Sequence, residues 1–243
     1  MAMKSPIKTF SLLASATLLT ISSLSAVSTV PVGYVSKGVN ANADLKTGVP
    51  FKQSPSFQSA VLSVDSGSVS VTSVVPDVTT QPHFLWVTSG TLLGSWYEVV
   101  SSDSNSLTVA EDLEAAGLLA DDTFQIVPFW TLDTLLPEGG ALPASSDVFA
   151  PVAFVLFNDI TQTGIDLAPS SAFIYHDGTQ GQSGWYDLDD LGSGVAGDTV
   201  IAPDTYITIR NGTDDAISVT FAGAVPDYTV TNEIVSRSAG FQD

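Results

Sequence analysis

No cysteine occurs in the 243 residues, and basic side chains are scarce: seven Lys and Arg stand against 26 Asp and Glu, with two His. Without cysteine there are no disulfides, thiolate zinc sites, iron–sulfur clusters or Cys nucleophiles. The formal charge of −19 excludes a nucleic-acid surface, because phosphate binding needs clustered Lys and Arg. Two isolated histidines, His83 and His176, argue against a His-based zinc site. Serine hydrolysis is equally poorly supplied, since no Gly-x-Ser-x-Gly elbow is present. There is no Gly-rich nucleotide loop and no cationic amphipathic helix.

Long apolar runs are also missing, save one at the N-terminus. Residues 1–26 read as a secretory signal, with Lys4 and Lys8 ahead of an apolar stretch from Phe10 to Leu24 and small residues up to Ala26. That stretch is short and interrupted by Ser and Thr, which argues against a membrane anchor. The expectation is therefore an exported chain, in the periplasm, at the outer surface or outside the cell, with no transmembrane segment after cleavage. Cleavage after Ala26 removes two basic residues and no acidic ones, making the charge −21. Between Lys52 and Arg210 lie 20 acidic residues and no basic one. Most of these carboxylates must be solvated, neutralised by cations or turned to a cationic partner. Asp outnumbers Glu 21 to 5, which suits turns better than helices.

What is present is a series of short alternating runs between turn residues. Val69 and Val71 follow Asp65-Ser66-Gly67, and Leu107 and Val109 follow Ser102 to Asn105. Tyr97 and Val99, Phe124 and Ile126, Ile207 and Ile209, and Ile217, Val219 and Phe221 alternate in the same way. Period-two runs separated by turn chemistry predict antiparallel β-structure. Asn211-Gly212 predicts a hairpin over Tyr206–Phe221. Val152–Phe157, six apolar residues in a row, predicts a strand buried on both faces. Helix is limited to Glu111–Ala120, weakened at Gly117, and a single turn over Trp130–Leu136 ended by Pro137. The expected fold is mainly β, an antiparallel β-sandwich or two small β-barrel-like lobes. Residues 137–146 read as a linker between an N-terminal lobe, 27–136, and a C-terminal lobe, 147–243, which form one domain or two.

Several stretches together carry a resemblance: Pro31–Val35, Val87–Tyr97, Asn105–Val109, Asp122–Leu132, Leu167–Ser170 and Pro203–Asn211. The chain resembles an uncharacterised exported β-rich protein family of verrucomicrobial bacteria. The resemblance implies an exported β-rich protein with no established activity and no catalytic residues to carry over. It also implies further sequence after the Gln242-Asp243 that closes the chain here.

Candidate sites are few. Glu98 and Glu138 stand out among so little Glu, but nothing pairs them as the two facing carboxyls of a glycosidase. His176-Asp177-Gly178 reads as a polar turn, and His83 as a residue at the start of a strand. Asp187, Asp189, Asp190 and Asp198, with Gly192, place Asp, Asp, Gly and Asp at positions 1, 3, 6 and 12 of an acidic loop. Leu191 occupies position 5, where an oxygen ligand belongs, so the EF-hand pattern fails and only a looser Ca2+ loop fits. Trp185, Tyr186 and Trp96 are the candidates for stacking on sugar rings, with Trp185 expected to be exposed. Asn211-Gly212-Thr213 matches a glycosylation sequon, but its turn role accounts for it. The reading is an exported, non-enzymatic acidic β-protein with a structural or binding role, its partners a polysaccharide or further copies of itself. The alternative is a carbohydrate-binding module, with a glycan-active enzyme behind it.

Overall fold

The computed structural model describes residues 30–225 except 79, 159–167, 180 and 204. The signal segment 1–26 and the chain after Val225 lie outside the described residues. The protein is mainly β, with curled antiparallel sheets and two short helices. In chain order the strands are β1 (Val32–Val39), β2 (Ala43–Gly48), β3 (Phe57–Ala60), β4 (Ser63–Asp65), β5 (Ser68–Ser70), β6 (His83–Val87), β7 (Trp96–Asp103) and β8 (Ser106–Val109). Helix α1 (Leu113–Ala116) is followed by β9 (Thr123–Pro128), β10 (Trp130–Thr131) and α2 (Leu132–Leu135). The rest are β11 (Ala153–Asn158), β12 (Pro169–His176), β13 (Gly184–Asp187), β14 (Val200–Ile201), β15 (Tyr206–Asn211) and β16 (Ile217–Ala224).

A seven-stranded sheet of order β3-β9-β6-β7-β8-β5-β4 uses only residues 57–128. Its inward residues, among them Leu85, Val87, Leu107, Phe124 and Ile126, enclose one core with Leu113 and Leu118. Strand β6 is buried at every position. Leu85 and Val87 enter that core, while Phe84 and Trp86 turn to a second cluster with Val127 and Phe129. Ala202, from the later chain, packs on this cluster, and Gln53 donates to the Phe129 carbonyl at 2.7 Å. The sheet is thereby joined to the rest of the molecule.

The second assembly is a sandwich. One layer is the five-stranded sheet β13-β12-β11-β15-β2, and the other is the β1–β16 ladder. Val155, Phe173, Trp185, Ile207 and Ile209 meet Val39, Val219 and Phe221 in its core, with Leu132, Leu136 and Leu142 from the α2 region. Each such side chain contributes about 1.5–3 kcal/mol by leaving water. The residues expected to form one N-terminal lobe are thus divided. Strands β1 and β2 pair with β16 and β15, near the far end of the described chain. Residues 137–146 form a packed connection: a 3-10 turn over Pro137–Gly139, the buried Leu142, and Ser145 bridged to His176.

Three local expectations change. The Tyr206–Phe221 hairpin does not form, because β15 pairs with β11 and β2 while β16 pairs with β1. The turn between them is a corner that carries the chain from one layer to the other, and residues 40–42 make a matching corner between β1 and β2. The Glu111–Ala120 helix is a single turn, capped by Asp112 accepting the Ala115 N–H at 2.9 Å and stopped at Gly117, whose φ is 106°. Strand β11 is buried on both faces in its middle, at Val155 and Leu156, but half-buried at Phe154 and Phe157. A close approach fixes Gly223: a Cβ there would lie 2.6 Å from the Lys52 carbonyl oxygen and 2.8 Å from Phe51 Cβ.

Candidate functional site

The acidic loop does not gather into a cage. Asp187 closes β13 and accepts the Asp189 N–H at 2.9 Å, an Asx turn. Asp190 accepts the Ser193 hydroxyl, and Leu191–Ser193 form a 3-10 turn. Asp198 is exposed beside Gly197, against which the Asp133 carboxylate packs. Among the described residues no three His, Asp or Glu side chains are placed to hold a metal ion. Of the four aspartates expected to bind Ca2+, Asp187 and Asp190 accept hydrogen bonds within turns, and Asp189 and Asp198 are exposed.

The expected sugar platform is also dispersed. Trp185 is fully buried, not exposed. It pairs with Tyr175 across β12–β13, and the two rings meet edge to face with centroids 5.5 Å apart. That pairing places Trp185 in the sandwich core and turns its neighbour Tyr186 to the other face. Tyr186 donates its hydroxyl to the Gln182 carbonyl at 3.0 Å and lies edge-on to His176. Trp96 is half-buried on the other sheet, against Phe84 and Phe129 at centroid distances of 6.0 and 5.8 Å.

Both histidines are buried and tied to backbone. His83 Nδ1 lies 2.8 Å from the Gln81 carbonyl. His176 Nδ1 accepts the Gly178 N–H at 3.0 Å, which leaves Nε2–H facing the Ser146 carbonyl at 3.3 Å. Each imidazole is a structural tether. Glu98 is exposed on β7 and Glu138 is exposed in the 3-10 turn after α2, on different assemblies. Asp177 is held below the usual carboxylate range by the side chain and N–H of Thr179.

Two surface features remain. The first is a shallow polar depression of about 300 Å³ lined by Gln58, Ser59, Thr88, Thr123, Phe124 and Gln125. Strand pairing sets Gln58, Gln125, Trp86 and Trp96 in one cross-strand row beside it. Trp86 is buried beneath Lys52, whose ammonium lies 3.6 Å from the ring centroid. The indole therefore holds a cation and presents no face to a sugar.

The second feature is the outward face of the β1–β16 ladder. Alternate residues point away from the core: Val32, Tyr34, Ser36 and Gly38 on β1, and Ser218, Thr220 and Ala222 on β16, all exposed. Tyr34 is 78% and Val32 71% exposed. The two strands hold one charged residue, Lys37, which is half-buried and donates to Thr47 Oγ1 at 2.8 Å. In a chain of charge −19 this sheet face carries no acid. Sequence reasoning registered the alternation in β16 but not this face, because the pairing that creates it joins residues 32–39 to 217–224. The available signal was the absence of acids from both runs.

Fold and surface together define a mainly-β protein built of curled antiparallel sheets. No family model matches the chain, and neither a curated protein nor a solved structure is significantly similar to it.

Proposed function

We propose that the chain is an exported, acidic β-protein with a structural or binding role at the cell surface or outside the cell, and that it catalyses no reaction. The observation that carries this reading is the β1–β16 face: exposed and free of charge on a chain otherwise crowded with carboxylates. Such a face suits contact with another surface rather than enclosure of a small substrate. The described residues hold no helix long and apolar enough to cross a membrane, and the N-terminal segment has the pattern of a cleaved leader. Expressing the full chain in a bacterium, separating the cell fractions and weighing the product tests the export half. A product outside the cytoplasm lacking residues 1–26 is expected. A full-length product retained in the cytoplasm would refute it.

A carbohydrate-binding role is the second reading, favoured by the polar depression and the row Gln58, Gln125 and Trp96. Amides and hydroxyls there offer paired donors and acceptors of the kind sugars use. Retardation of the protein in gels containing soluble polysaccharides, abolished by Gln58→Ala with Gln125→Ala, is its expected mark. Equal mobility with and without polysaccharide would exclude it for the glycans tried.

A further inference from the structure

We infer that the outward face of the β1–β16 ladder is a self-association surface whose partner is a second copy of this chain. The inference deepens the structural or binding reading above and names the partner of the same face. Charge selects the occupant. A cationic partner would be drawn to the 26 Asp and Glu elsewhere in the sequence, not to a face whose two strands hold none. A copy of this chain brings −19 of its own and can approach closely only where neither surface presents an acid.

Shape points the same way. Along the ladder Val32 and Tyr34 stand opposite Ala224 and Ala222 at one end, and Ser36 and Gly38 stand opposite Thr220 and Ser218 at the other. On β1 the large exposed side chains, Val32 and Tyr34, are gathered at one end and the small Ser36 and Gly38 at the other. A two-fold axis perpendicular to the strands would set the Val32–Tyr34 end of one copy on the Ser36–Gly38 end of its partner. This is the self-complementary arrangement an isologous contact needs. Size sets the strength. Two strands of eight residues at about 3.4 Å per residue and about 4.8 Å apart present a footprint of roughly 270 Å². A standard interface buries about 800 Å² per partner, so the pairing is weak, reversible and dependent on concentration.

Sedimentation equilibrium of the purified full chain tests this across a wide range of concentration and NaCl. Because the partners repel, association is expected to strengthen with salt. Tyr34→Glu, at a position 78% exposed, leaves the fold intact by circular dichroism. It weakens association about 100-fold, since a charge enters twice in a two-fold contact at about tenfold each. Leu119→Glu, at an exposed residue beyond α1, leaves association unchanged. A monomer at every concentration and salt, or undiminished association of Tyr34→Glu, overturns the inference. So does a chain ended at Val225 that associates while the full chain does not, for then residues 226–243 cover the face. Export and association are read independently, so failure of one is distinguishable from failure of the other.

Discussion

Single residues carry little of this surface's electrostatics, because few acids have a cationic partner. Arg210 and Asp44 are an exception. They face each other across β15 and β2, and the guanidinium reaches both carboxylate oxygens, at 2.8 and 2.7 Å. Those hydrogen bonds hold Asp44 below the usual carboxylate range and push Arg210 up. A carboxyl whose pKa is lower folded than unfolded stabilises the fold above its unfolded value, near 3.9. That stability disappears as pH falls through the lower folded value. Both side chains are 40–50% exposed, so solvent limits the pair to about 1 kcal/mol or less. Urea unfolding of Asp44→Asn should therefore show a deficit of that size at pH 7, narrowing towards zero in strong acid. A deficit that persists unchanged in acid would mean that the ion pair is not its source.

At the scale of elements, the decisive features are the two corners that carry the chain between the sandwich layers. Asn211 joins them. Its side chain is fully buried; it donates to the Asn40 carbonyl at 3.1 Å and the Asp215 carbonyl at 2.7 Å, and accepts from the Thr213 N–H and hydroxyl. Asn211→Ala removes these four bonds, at about 0.5–1 kcal/mol each a loss of about 2–4 kcal/mol measurable by urea unfolding. A loss below about 0.5 kcal/mol, the range of ordinary surface changes, would show that the corner holds without it. The same residue marks the limit of what the sequence makes legible. The period-two runs at Leu107 and Val109, Phe124 and Ile126, and Ile207 and Ile209 name strands correctly, because alternation is local. Asn211-Gly212 supports a hairpin and a corner equally well, and only the distant pairing with β1 and β2 decides between them. Trp185-Tyr186 was ambiguous for a similar reason. Adjacent residues on a strand must split between faces, but which one enters the core depends on Tyr175 opposite Trp185. The acids that follow Trp185 suggest exposure, whereas Asp187 and Asp190 accept hydrogen bonds within the turns at the strand's end.

For the whole molecule, the imbalance of charge is a cost of folding that the Arg210–Asp44 pair does little to relieve. Twenty acids lie between Lys52 and Arg210 without one Lys or Arg among them. Folding draws these like charges together, and their repulsion is weaker in the expanded chain. Raising ionic strength from 0.01 to 0.15 M shortens the screening length from about 30 to about 8 Å. That should relieve the compact state more than the unfolded one. A gain of about 1 kcal/mol corresponds to a rise in Tm of roughly 2–4 °C for a chain of this size. The measurement is best made on Tyr34→Glu at low concentration, where association does not add to stability. Sodium and potassium chloride should act alike, and magnesium and calcium should act alike at equal ionic strength. A rise produced by calcium well beyond that of magnesium would show a specific bound ion, and attention would return to Asp187, Asp189, Asp190 and Asp198. A flat response to every salt would mean that the carboxylates stand far enough apart in the folded state to be screened by water alone.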